Sequence, residues 1–182
     1  MLVYFVCGDS NPELDSNFLM NAKRAIVRKI AWSYTIPQLM LMFALIVLLW
    51  KSFFPGDLNL AVAYGAVVYL LYSFASKAFL LRNHRRGLYL TKIQSFRDAI
   101  GAFQLSYAFL KKYAWLDKYR FITMLDSSAV SYREMALCNI AYSYAQLHET
   151  IEASGYYRRA LEEFPESKMA KTGIEYIESE GK

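Results

Sequence analysis

The sequence predicts an all-α protein: a two-helix transmembrane hairpin followed by a short helical-repeat domain of the α-solenoid kind. Three observations carry this expectation. Two long runs lack any charged residue, and a proline-glycine turn joins them. The chain's positive charge excess is confined to the half that holds those runs. The other half is poor in glycine, shows no strand-like alternation, and repeats small and aromatic residues at helical spacing.

The charge distribution decides what kind of partner to expect. The net charge of +5 over 182 residues would suit a nucleic-acid binder if it were spread over a soluble surface. Residues 1–89 instead hold nine Lys and Arg against four Asp and Glu, while residues 90–182 hold twelve of each. The neutral half has no surplus to place against phosphates, so nucleic acid is not an expected partner. Basic residues beside apolar runs read as topology signals. The mean hydropathy of +0.14 is high for a soluble domain and low for a chain that is all membrane.

The first element is an N-terminal segment, residues 1–30. Its start, MLVYFVCGD, has no basic residue and about seven apolar ones, so no cleaved signal peptide is expected. Ser10 and Glu13 have capping-box spacing, and Pro12 suits a first helical turn. Leu14, Phe18, Ala22, Ala25, Ile26 and Ile30 then share one face, with Lys23, Arg24, Arg28 and Lys29 gathered away from it. That pattern fits either an amphipathic helix on an anionic leaflet or a plain extension of the first span.

The second element is the pair of spans, about 31–53 and 58–81. No charge occurs in the 21 residues between Lys29 and Lys51, whose centre is LMLMFALIVLLW. A rise of about 1.5 Å per residue carries such a run across a core of about 30 Å. The second run, from Leu58 to Ser76, continues past Lys77, which lies near enough to the end to snorkel. Pro55-Gly56-Asp57 makes the turn between them. Lys23, Arg24, Arg28 and Lys29 precede the first span, and Arg82, Arg85 and Arg86 follow the second. The positive-inside rule then puts both termini in the cytoplasm, with these seven residues at the lipid headgroups. The expected location is a multi-pass position in the inner (plasma) membrane of a bacterium.

The third element, residues 82–182, is the helical domain. Ser131 and Glu134 have capping-box spacing and would start one helix, and Pro165 would stop the next. Leu137, Ile140, Ala141 and Tyr144 fall on the first of these helices, and Ala153, Tyr157 and Ala160 on the second. Small residues suit the crossing of two close antiparallel helices, and the tyrosines fill the space beside it. This unit, about 134–167, resembles the tetratricopeptide repeat, whose period is about 34 residues. Leu137 stands where the family often has Trp, Ala141 where it has Gly, and His148 where a Gly often makes the turn. A second, partial copy lies upstream: Gly87, Leu90, Ala99, Phe103 and Ser106 take the places of Ala141, Tyr144, Ala153, Tyr157 and Ala160. Lys111 stands where its closing proline would be. Between the copies, residues 107–128 suggest another helix and break the register. A polar capping helix, about 167–180, would cover the end with Met169, Ile174 and Ile177.

The resemblance implies a docking function. Repeats of this family bind peptides or partner proteins on the concave face made by the first helices. On that face Asn139 stands where the family often holds a ligand backbone, and Cys138, Tyr142, Ala145 and Gln146 would share it. The Lys and Asn of the carboxylate-clamping subtype are replaced by Cys138 and Tyr142, so no such clamp is expected. The same five residues are equally consistent with packing between helices.

No phosphate loop, HExxH or GxSxG motif occurs, and Cys7, Cys138, His84 and His148 have no metal-ligand spacing. The expectation is a non-enzymatic adaptor without cofactor or metal, bound to a protein or peptide partner and to anionic lipid, with a short array supported by the span, a partner or self-association. The alternative is a small accessory or assembly subunit of a membrane complex. Its hairpin would be the main interface, packed through Ala61, Ala63, Gly65 and Ala66.

Overall fold

A computed structural model describes residues 32–126, 128 and 130–180. Every regular element among them is a helix: α1 (Trp32–Ser52), α2 (Leu58–Leu80), α3 (Arg82–Lys92), α4 (Phe96–Lys112), α5 (Ala114–Lys118), α6 (Arg120–Thr123), α7 (Tyr132–Gln146), α8 (Thr150–Glu163) and α9 (Lys168–Glu180). They fall into two compact units. One holds residues 82–114 and 130–180; the other holds residues 32–81 together with 115–128. The expected amphipathic helix before the first span, with Lys23, Arg24, Arg28 and Lys29, lies outside the described residues.

In the second of these units, α1 and α2 coincide with the two uncharged runs, and both are long and apolar enough to cross a membrane. At about 1.5 Å per residue their 21 and 23 residues measure about 32 and 35 Å. Gly56 makes the turn between them at φ +96°, a conformation only glycine adopts freely. Asp57 then caps α2 by accepting the Leu60 N–H at 3.1 Å. The helices run antiparallel: Gln38 bonds to the Tyr69 hydroxyl, and Gly65 lies against Ile46 and Leu49. A Cβ added at Gly65 would meet Ile46 Cγ1 at 2.9 Å, so this glycine sets the closeness of approach.

The other unit is a stack of helix pairs, α3 with α4 and α7 with α8, followed by α9. Ser131 caps α7 by accepting the Arg133 N–H at 3.2 Å. Helix α8 ends at Glu163; Phe164 turns to an extended ψ of 78°, as a residue before proline must, and Pro165 follows. Ser167 caps α9 by accepting the Ala170 N–H at 3.2 Å.

The two pairs turn alike. Gln94 has φ +60° and His148, 54 residues on, has φ +59°. In the first turn Ser95 N–H donates to Leu90 O at 2.9 Å and Gln94 N–H to Thr91 O at 3.0 Å. At the same offset Glu149 N–H donates to Tyr144 O at 3.0 Å and His148 N–H to Ala145 O at 2.9 Å. Residues 113–131 lie between the two pairs. Those residues include α5 and α6, which were expected within the helical domain; residues 115–128 cluster instead with α1 and α2.

Candidate docking surface

Helices α4 and α8, the second members of each pair, run parallel and meet through long side chains. Four of their polar contacts climb at one constant offset of 52 residues. Arg97 pairs with Glu149 at 3.0 Å, Gln104 donates to the Tyr156 hydroxyl at 3.1 Å, Arg159 donates to the Tyr107 hydroxyl at 3.1 Å, and Lys111 stands 3.9 Å from Glu163. Tyr107 in turn donates to Glu163, and Arg159 stacks on its ring at 4.8 Å. Beneath this ladder lies the core: Ala99, Phe103 and Ser106 of α4, and Ala153, Tyr157 and Ala160 of α8.

Helix α7 lies at the centre. None of its residues from Tyr132 to Gln146 is exposed. Ala136, Leu137, Ile140 and Ala141 are buried, and so are Cys138 (1 %), Asn139 (7 %) and Tyr142 (2 %) on the remaining faces. A helix buried on every side carries apolar residues all round, and α7 does. Tyr142 meets Phe96 edge-on at 6.3 Å, and Ser143 turns its hydroxyl back to Asn139 O at 2.8 Å. Of the five residues expected on a concave binding face, Cys138, Asn139 and Tyr142 are covered, and Ala145 and Gln146 are half-buried. The other residues named for repeat packing divide simply: Leu137, Ile140, Ala141, Ala153, Tyr157 and Ala160 are buried, Tyr144 is half-buried and stacks on Tyr156 at 5.5 Å, and Pro165 is exposed.

Cys138 has the chemistry of an inert thiol. Burial chiefly, and the Glu134 carboxylate after it, push its pKa far above the ordinary range; a hydrogen bond with Ser167 pulls the other way without offsetting them. Since the thiolate is the reactive species, this side chain is a small apolar filler.

An open basic surface lies on α3. Arg82, Arg85 and Arg86 are all exposed, and Tyr89 (63 %), Lys92 and Ile93 (53 %) continue the same stripe at helical spacing. His84, Gly87 and Thr91 occupy the buried side. No acidic residue occurs between Arg82 and Arg97. The basic triplet was legible in the sequence; its continuation through Tyr89, Lys92 and Ile93 is the amphipathic period of α3, readable once the helix is placed. Among the described residues no group of three or more His, Cys, Asp and Glu side chains is placed to hold a metal ion. No family model matches the chain, and no curated protein or solved structure matches it significantly.

Proposed function

We propose that the chain is a membrane-anchored adaptor: α1 and α2 form a transmembrane hairpin, and a tetratricopeptide-like stack on the cytoplasmic face docks a protein or peptide partner. The observation that carries this reading is a contrast in exposure. In α1 and α2, large apolar side chains such as Met40 (67 %), Phe43 (68 %), Leu70 (64 %) and Phe74 (64 %) face outward. Of the apolar windows in these helices, 0 % and 11 % are buried, so neither is the covered core helix of a soluble protein. So large an apolar surface calls for a non-aqueous surround. The stack, by contrast, buries its own core and shows solvent a polar ladder. The equal turns at Gln94 and His148 support reading its two pairs as copies of one unit.

The exposed basic stripe on α3 follows α2 directly, where cytoplasmic headgroups would lie, which supports both topology and lipid contact. Because Cys138, Asn139 and Tyr142 are covered, docking on this reading uses the stack's outer surfaces, or follows displacement of what covers α7. The accessory-subunit alternative draws less support: of the small residues on α2, Gly65 already faces α1 and Ala61 is fully buried.

Replacing residues 32–80 with an unrelated two-span hairpin separates the two readings. Crosslinking in membranes, followed by mass spectrometry of what the chain captures, is the readout. An adaptor recovers the same partner through the exchanged anchor; loss of that partner, with the stack still folded, assigns the function to the spans.

A further inference from the structure

We propose that the insert between the two helix pairs, residues 115–125, is an interfacial membrane element that lays Trp115, Lys118, Tyr119 and Ile122 among the phospholipid headgroups beside α1 and α2. The inference rests on the reading of α1 and α2 as membrane spans. Its own evidence is the insert's construction. One side is built as a core: Leu116 (8 %), Asp117 (2 %), Arg120 (6 %), Met124 (0 %) and Leu125 (5 %) are buried. Arg120 ties the segment together, donating to Ser128 O at 2.8 and 3.0 Å and to Asp117 O at 3.1 Å, with the Asp117 carboxylate 3.9 Å away. Thr123 closes it by donating to Leu116 O at 2.8 Å. The other side is open: Trp115 (56 %), Tyr119 (46 %) and Ile122 (45 %) are exposed, and Lys118 stands between them with its ammonium 5.6 Å from the Tyr119 ring. These four lie on two short helical turns, α5 and α6, that meet at Tyr119, and they form the exposed side of the insert. Tryptophan, tyrosine, lysine and an aliphatic residue on one face is the composition of the bilayer interface rather than of a water-facing surface.

Its attachment fixes the depth. Tyr72 of α2 donates to Ile122 O at 3.3 Å, Lys77 of α2 to Leu125 O at 3.4 Å, and Gln38 of α1 to the same Leu125 O at 3.2 Å. Tyr72 lies eight residues before the end of α2 and Gln38 six after the start of α1. At about 1.5 Å per residue the anchor points are within about 12 Å of the helix ends on one side of the bilayer. That is the headgroup and upper acyl zone, where amphipathic helices seat themselves. The insert is also too short to cross: α5 and α6 hold five and four residues. The extra residues that break the repeat register thus act as a second membrane contact.

Two single-tryptophan versions of the full chain, reconstituted in phosphatidylcholine–phosphatidylglycerol vesicles, test the placement. One carries Trp32→Phe and Trp50→Phe and keeps Trp115. The other carries Trp32→Phe, Trp50→Phe, Trp115→Phe and Phe43→Trp, which puts the probe midway along α1. Phospholipids brominated just below the headgroup should quench Trp115 by roughly half, and those brominated at mid-bilayer clearly less. The probe at position 43 should show the reverse order. If Trp115 is quenched by neither, or more by the deep bromines, while position 43 is quenched as expected, the interfacial placement is overturned and the spans stand. If position 43 is unquenched as well, the span reading fails and the insert's role with it.

Discussion

The two helix pairs make the same turn and cross by different means. In the first pair the aromatic of the second helix, Phe103, sits against its own partner: a Cβ added at Gly87 would lie 2.7 Å from the Phe103 ring. In the second pair the corresponding aromatic, Tyr157, finds its gap one helix further on. Ala141 of α7 already carries a Cβ, and Gly173 of α9 receives the ring; a Cβ there would lie 2.3 Å from Tyr157 Cζ. Each buried ring therefore needs a glycine opposite it, but the first pair supplies its own and the second borrows one from α9. The lesson is a difference in dependence: α3–α4 is complete at this crossing, and α7–α8 is finished only by the helix that follows it.

The largest effect expected from this comparison is that of removing α9. Truncation after Ser167 takes away Ala170, Gly173 and Ile177 and uncovers the cluster that also holds Leu137, Cys138, Ala141 and Tyr157. Stacked helices need a covered end. Alkylation of Cys138 in a Cys7→Ser background reads the outcome. In the full chain the buried thiol should resist reagent; after truncation it should react at close to the rate of an unfolded thiol. Persistent protection would mean that α7–α8 closes without α9 and that the dependence does not exist.

The glycines themselves come next. Gly87→Ala and Gly173→Ala should each destabilise the stack by about 1–3 kcal/mol, the usual cost of overfilling a packed core, despite the better helix propensity of alanine. Denaturant unfolding of the full chain in detergent measures both. The sharper measurement is the pairing: Gly87→Ala should be largely relieved by Phe103→Leu, and Gly173→Ala by Tyr157→Leu, whereas the crossed combinations should add independently. Equal rescue in a crossed combination would contradict the assignment of each ring to its own gap.

These pairings show where the sequence is readable. The charge-free runs of α1 and α2, the Ser131 cap, the Pro165 stop and the helix that becomes α9 are local signals, each decided by residues within a few positions. The correspondence of Gly87 and Phe103 with Ala141 and Tyr157 was also visible as spacing. Gly173 was not: it read only as one residue of a polar capping helix, because nothing local says that Tyr157 lies over it. The ladder between α4 and α8 was hidden for the same reason, since its partners are 52 residues apart. Helical spacing placed Cys138, Asn139 and Tyr142 on a common side of α7, but spacing says which residues share a face and not what covers it. Trp115, Tyr119 and Ile122 were legible as helical; their grouping with α1 and α2 came from hydrogen bonds to Tyr72, Lys77 and Gln38 across a gap of 48 residues or more.

The smallest effect concerns what the pairs have in common. Gln94 and His148 both occupy the left-handed region, where a Cβ crowds the following carbonyl at a cost of about 1–2 kcal/mol. Glycine removes that cost and gives back about 0.5–1 kcal/mol through its freer unfolded chain. The His148 side chain is exposed, and the two hydrogen bonds of its turn are made by the backbone, so a glycine keeps them. His148→Gly should therefore stabilise the stack by about 0.5–1 kcal/mol, a rise of about 2–8 °C in Tm. An unchanged or lowered Tm would show that the left-handed turn at His148 carries no strain to relieve.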